Sequence, residues 1–176
     1  MAYHHLALAV KDIKATHAFY EGIMGFELVK VEVAPIQEGG WGKHFFYRMD
    51  GDDSRFIAFW ELHDTPNQDD HVHNLNKAAN LPQGTNHYSF AVSTKDELER
   101  WRKTWQAAGL GVFEIDHNWC HSIYTHDPDG NFVEFCLTTD EFGPEDRERA
   151  LSALDETEFK PSPPPALMKL WEPKAA

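Results

Sequence analysis

The chain has 176 residues, 41% of them hydrophobic, and a formal net charge of -13. That is enough apolar material for one domain, or two small fused halves, with a real core. The negative charge argues against nucleic acid and anionic membranes as partners. No apolar run approaches membrane-spanning length. The opening MAYHHLALAV lacks a basic region followed by a long apolar core, so a cytoplasmic chain without a signal peptide is expected.

In chain order, His5-Leu-Ala-Leu-Ala-Val10 reads as a short strand. Lys11-Asp12 opens a helix on which Ile13, His17, Tyr20 and Met24 share a face, and Gly25 stops it. Strands follow at Phe26 to Val33, His44 to Tyr47 and Phe56 to Phe59. A polar segment from Asp64 to Gln83 reads as a loop with a short helix near Val72 to Ala79. The same order then returns. His87-Tyr-Ser-Phe-Ala-Val92 mirrors the first strand, with histidine again five residues before valine. Lys95-Asp96 opens a helix with the capping-box pattern Thr94-x-x-Glu97. Leu98, Trp101, Trp105 and Ala108 fall on one face of it, and Gly109 stops it. Val112 to Ile115, His121 to Tyr124 and Phe132 to Phe135 complete the second half. Beyond Thr139 the repeat ends: Pro144 to Leu154 reads as a helix, and Lys160 to Ala176, with Pro163-Pro-Pro165, as an extended tail.

The expected architecture is therefore α+β: two tandem βαβββ modules, about residues 3–63 and 84–139, in a domain spanning 1–139, then a C-terminal helix and Pro-rich tail at 140–176. Cys120 and Cys136 lack CxxC or finger spacing and read as free thiols in a reducing compartment. Glu134 is the feature that demands explanation. A carboxylate among Phe132, Val133 and Phe135 is costly unless paired, solvated or bound to a cation.

A doubled βαβββ unit with a histidine on each first strand resembles the vicinal oxygen chelate superfamily. This group includes glyoxalase I, methylmalonyl-CoA epimerase, fosfomycin-resistance proteins and extradiol ring-cleavage dioxygenases. The resemblance covers about residues 3–139. It implies that the modules form a curved, incomplete barrel around one divalent metal, whose ligands by position are His5, His87 and Glu134. Two imidazoles and a carboxylate make a facial triad with open coordination positions, a set suited to Fe(II). His4 competes with His5, but only His5 matches the histidine-to-valine spacing, and strand alternation points His4 to the other face.

Some relatives carry a fourth ligand, Glu or Gln, on the last strand of module one. Pairing Phe56-Ile-Ala-Phe59 with Phe132-Val-Glu-Phe135 puts Ala58 at that position. Glu61 lies an odd step further on and should face away unless a bulge restores it. The composite Ile115-x-His117, Ile123-Tyr124, Asp127-Pro128-x-Gly130, Glu134 resembles the extradiol dioxygenase signature. It implies that His117 and Tyr124 sit beside the metal and hydrogen-bond a bound diolate. The family's acid–base histidine falls near Arg55, so His44, His71 or His73 must substitute if the chemistry is kept. Phe45, Phe46, Trp60 and Trp119 are candidates to line an apolar pocket.

Three readings stand. One is an Fe(II) extradiol-type dioxygenase acting on a catecholic small molecule with O2. The second is a lyase or isomerase of the glyoxalase or epimerase kind, using Ni(II), Zn(II), Co(II) or Mn(II), with Glu61 at the metal. The third is a binder that sequesters its ligand unchanged. A homodimer is implied by the resemblance alone.

Overall fold

The computed structural model describes residues 3–51 and 53–174. Residues 1–2 and 52, and the last two residues of the expected tail, lie outside that description. The order is β1 (His5–Ala9), α1 (Ile13–Tyr20), β2 (Glu27–Pro35), β3 (Trp41–Arg48), β4 (Phe56–His63), a 3-10 turn (Gln68–Asp70) and α2 (Leu75–Ala78). The second half runs β5 (His87–Ala91), α3 (Lys95–Ala107), β6 (Val112–Asp116), β7 (Cys120–His126) and β8 (Phe132–Thr138). It ends with α4 (Pro144–Ala153) and β9 (Leu167–Trp171). The fold is α+β, with two open sheets ordered β1-β4-β3-β2 and β5-β8-β7-β6-β9. The repeated βαβββ order is that expected from the sequence.

Two compact units divide the chain. One holds residues up to His87 together with His126–Phe132; the other holds Tyr88–Thr125 and the chain from Val133 onward. In the first unit α1 starts at Asp12, whose side chain accepts from Lys14 N (2.9 Å) and Ala15 N (3.1 Å). Gly25 ends it at φ 70°, a conformation that costs glycine little. Phe19, Tyr20, Met24, Phe26, Tyr47, Ile57 and Phe59 are buried as its core. Tyr20 packs on Phe59 with ring centroids 4.5 Å apart. The Asp127–Gly130 turn belongs to this unit and is tied in from several sides. Asp127 accepts from the Tyr20 hydroxyl (3.2 Å), Gly130 O from Asn74 Nδ2, and Asn131 Oδ1 from Leu75 N (2.7 Å).

In the second unit Thr94 caps α3, accepting from Glu97 N at 3.1 Å. The Glu97 carboxylate reaches back one residue further than a strict capping box, to Ser93 N at 2.9 Å. Leu98 and Trp105 are buried, and Phe135 stacks against both Trp101 (4.5 Å) and Trp105 (5.2 Å). The tail is more than an extended terminus. Its residues Leu167–Trp171 pair antiparallel with β6, from Val112 opposite Trp171 to Asp116 opposite Leu167. Trp171 anchors this strand: Arg102 and Lys169 lie over its ring at 3.7 and 3.4 Å, and its indole donates to Glu114. No helix among the described residues is long and apolar enough to cross a membrane.

Candidate metal centre

Strand pairing decides which side chains share a face. β1 runs parallel to β4 with His5 beside Phe56 and Ala7 beside Ala58. β3 runs antiparallel to β4 with Phe46 opposite Ala58 and His44 opposite Trp60. Side chains alternate along each strand, so one face of the first sheet carries His5, His44, Phe46, Phe56, Ala58 and Trp60. The other carries Lys43, Phe45, Tyr47, Ile57, Phe59 and Glu61. Ring contacts agree: the His5 centroid lies 5.6 Å from Phe46 and 6.1 Å from His44, and His44 stacks on Trp60 at 4.1 Å. Burial, then the neighbouring His5, lowers the His44 pKa, against a raising influence from Glu32.

Glu61 therefore faces away from His5. Its carboxylate accepts from Lys43 Nζ at 2.8 Å and lies 3.1 Å from His63 Nε2. Burial pushes its pKa up, but these two partners outweigh it and hold the group below the ordinary range. Ala58 is fully buried. The backbone of β4 shows no register shift against β3 that would turn Glu61 round.

His4 departs from the alternation argument. It precedes β1, and its Nδ1 lies 2.9 Å from His5 Nδ1. Alternation governs only residues inside a strand, so His4 is not sent to the opposite face; it abuts the ring it was weighed against. His87 has its Nδ1 3.0 Å from the carbonyl oxygen of Gly84. A carbonyl only accepts, so this His87 carries its proton on Nδ1 and its lone pair on Nε2.

On the second sheet, Asp127 N donates to Asn131 O and Thr139 N to Trp119 O. These bonds bracket the β7–β8 hairpin and set Tyr124 opposite Glu134. Glu134 is 5% exposed. Burial pushes the Tyr124 phenol well above its usual value, with Ser122 opposing and Glu134 adding to the rise. The Tyr124 hydroxyl is 3.1 Å from His117 Nε2. His117, Tyr124 and Glu134 thus form a connected set on one side of the sheet. His121 lies on the other side, its Nε2 2.8 Å from Glu114 Oε1.

This corrects the sequence pairing of His44-Phe-Phe-Tyr47 with His121-Ser-Ile-Tyr124. Ala58 and Glu134 are the matched positions, and their partners are Phe46 and Tyr124. The third strands are offset by one residue, so Tyr47 turns into the core while Tyr124 faces the Glu134 side. Of the aromatic candidates, Phe46 and Trp60 share the face of His5, and Phe45 lies on the opposite face. Trp119 is 47% exposed and packs against Phe142. His71 and His73 border a separate open cavity of about 550 Å³ with Lys11, Lys77 and Asp129.

The donor chemistry of His5, His87 and Glu134 suits a divalent ion: two imidazoles, one with its Nε2 lone pair fixed by hydrogen bonding, and one buried carboxylate. His5 and His87 belong to the first unit and Glu134 to the second. Among the described residues, no group of three or more His, Cys, Asp or Glu side chains is gathered as an ion-binding cluster.

Comparison with known proteins follows this geometry. The family model for the Glyoxalase/Bleomycin resistance protein/Dioxygenase superfamily matches residues 2–135. No curated protein matches the chain. Among solved structures, a glyoxylase/bleomycin resistance protein/dioxygenase domain from Frankia sp. EAN1pec is 16% identical, covering 79% of this chain and 98% of that one, with a TM-score of 0.60. The fosfomycin resistance protein FosX from Listeria monocytogenes is 21% identical (84% and 98% covered, TM-score 0.54). FosX has also been crystallised with Mn(II) and sulfate. Lactoylglutathione lyase from Agrobacterium tumefaciens is 22% identical (77% and 92% covered, TM-score 0.52). At these identities the likeness is one of fold. The family model spans most of the doubled module, and the chain belongs to the Glyoxalase/Bleomycin resistance protein/Dioxygenase superfamily.

Proposed function

We propose that this chain is a metal-dependent enzyme that chelates neighbouring oxygens of a small molecule, and within that class an extradiol-type dioxygenase. His5, His87 and Glu134 would hold Fe(II), and the reaction would be the opening of a catecholic ring with O2. The observation that carries this reading is the asymmetry of the two last strands: Glu134 on β8 is matched on β4 by Ala58, with Glu61 turned away and held by Lys43. Two histidines and one carboxylate are a donor set of the kind used by Fe(II) oxygenases. A bound Fe(II) would supply the electron relay between diolate and O2.

The chain's own residues take defined parts. Nδ1–H of His87 directs its Nε2 outward from Gly84. Tyr124 stays protonated at any physiological pH and offers its hydroxyl as a donor, with His117 as its neighbour. Phe46 and Trp60 give an apolar surface beside His5 that limits water. By the same resemblance the working form is a homodimer, and the acidic composition fits a cytoplasmic one.

The lyase or isomerase reading draws on the FosX and lactoylglutathione lyase likenesses. It needs a module-one carboxylate at the metal, and Glu61 is committed elsewhere. The deciding assay is aerobic incubation of Fe(II)-reconstituted protein with a panel of catechols. A yellow ring-opened product is expected. Its absence across the panel, with iron bound, would remove the dioxygenase reading.

A further inference from the structure

The face that bears His5 carries a second histidine that the metal reading leaves unused. His44 is 8% exposed, and its Nε2 is screened from solvent with no hydrogen-bond partner. The ring is held in place: it stacks on Trp60 with centroids 4.1 Å apart and planes 13° apart, and Phe46 lies 4.2 Å away. Its centroid is 6.1 Å from that of His5. Across the sheet its backbone neighbour on β2 is Glu32, whose carboxylate is drawn to Lys30 at 3.3 Å.

A buried nitrogen without a partner is a cost that native chains rarely carry without cause. The aromatic layer of Phe46 and Trp60 would accept Leu or Phe at this position without that cost. The cost is therefore traceable to something a hydrocarbon side chain cannot do. The nitrogen is covered as the rings stand, so a ligand oxygen arriving on the His5 face supplies its partner once Phe46 or Trp60 gives way by a small shift.

We propose that His44 is a ligand-contacting residue: its Nε2 hydrogen-bonds an oxygen of the small molecule bound beside His5, and Phe46 and Trp60 flank the ligand's planar part. This rests on the reading of His5 as a metal ligand. It assigns the first module a polar contact to the substrate as well as a donor to the metal.

The test uses full-length Fe(II)-loaded protein under anaerobic conditions, titrated with a nitrocatechol whose visible absorption changes on binding. His44→Leu and His44→Gln are compared with the natural chain for metal content, nitrocatechol Kd and thermal midpoint. Both variants are expected to keep their iron. His44→Leu is expected to weaken nitrocatechol binding roughly ten-fold, as loss of one buried hydrogen bond does, while His44→Gln stays within about three-fold. The thermal midpoint of His44→Leu is expected to equal or exceed that of the natural chain, because an unsatisfied buried nitrogen has been removed.

Wild-type nitrocatechol affinity in His44→Leu would overturn the proposal and leave the metal reading standing. A fall in thermal midpoint in His44→Leu, restored by Gln, or failure of both variants to fold, would assign His44 to structure and overturn it as well. A His5→Ala control that keeps wild-type iron affinity would bring down the underlying reading and this proposal with it.

Discussion

The two modules share a plan and differ in what they place on it. β4 and β8 are both the last strands of their modules, both second from the edge of their sheets and both largely apolar. One carries Ala58 at the position where the other carries Glu134. The third strands differ in step: β3 presents Phe46 and His44 towards the Ala58 side, and β7 presents Tyr124 and Ser122 towards the Glu134 side. The edges differ too. β2 ends the first sheet with Val29, Val31 and Val33 between 39% and 64% exposed, alternating with Lys30 and Glu32. In the second sheet β6 is covered by β9. The backbone frame is common to both modules; the buried carboxylate stands in module two and an aromatic wall in module one.

The comparison breaks if the modules prove chemically interchangeable. Ala58→Glu tests this with the largest expected effect. Ala58 is fully buried, with Phe46 across one strand and Ala7 across the other. In metal-free protein an unpaired carboxylate there is expected to cost about 3–5 kcal/mol of stability, read as a large drop in thermal midpoint. A variant as stable as the natural chain would mean that the first face accepts charge as the second does.

The edge contrast is tested next. Trp171→Ala removes the ring over which Arg102 and Lys169 lie and the indole donor to Glu114. The ring is half-buried, so a loss of about 2 kcal/mol is expected, below the range for a core tryptophan. Faster hydrogen exchange at β6 should accompany it. Unchanged stability would make β9 a passive strand.

Tyrosine ionisation separates the two faces by spectroscopy. Burial, with Glu21 adding to it, pushes Tyr47 to about 12, and burial pushes Tyr124 up as well. Both raised values favour the neutral phenol in the folded chain. Below pH 10 folded and unfolded states both hold these protons. From about pH 10 to 12 the unfolded chain loses them first, so stability falls as pH rises through that window. An ultraviolet titration should show late-ionising phenols, and Tyr124→Phe should remove one late step. Ionisation of all tyrosines near pH 10 would contradict the burial of both rings.

The smallest effect is expected at Glu61. Glu61→Gln breaks a partly exposed pair with Lys43, worth at most about 1 kcal/mol, and should leave iron affinity within about two-fold of the natural chain. A larger loss of metal would return Glu61 to the ligand set and favour the lyase or isomerase reading.

Much of the frame was legible in the sequence because it is local. The histidine-to-valine spacing, the paired glycine stops and the aromatic face of α3 fix β1, β5 and the two helices without reference to distant contacts. The odd step from Ala58 to Glu61 was also legible, since alternation is a property of one strand. What escaped depended on pairing between strands. The one-residue offset between β3 and β7 follows from which residue lies opposite Ala58 and Glu134, and the similar strings around Tyr47 and Tyr124 conceal it. The adhesion of β9 to β6 rests on Trp171 meeting Arg102 and Glu114, side chains 57 or more residues away. His4 lies one residue before β1 begins, where strand alternation has no hold on it. The burial of His44 and its place beside His5 likewise come from strand pairing, which its own sequence neighbours do not show.

The proposed metal function assigns a single ion to His5, His87 and Glu134. Its most direct test is equilibrium Fe(II) binding to anaerobically purified protein, measured for the natural chain and for Glu134→Ala. The account predicts one iron per chain and a loss of at least about 100-fold in affinity in the variant, since even the outer partners of metal ligands cost about 10- to 100-fold. Glu134→Ala protein that binds iron as tightly as the natural chain would contradict it.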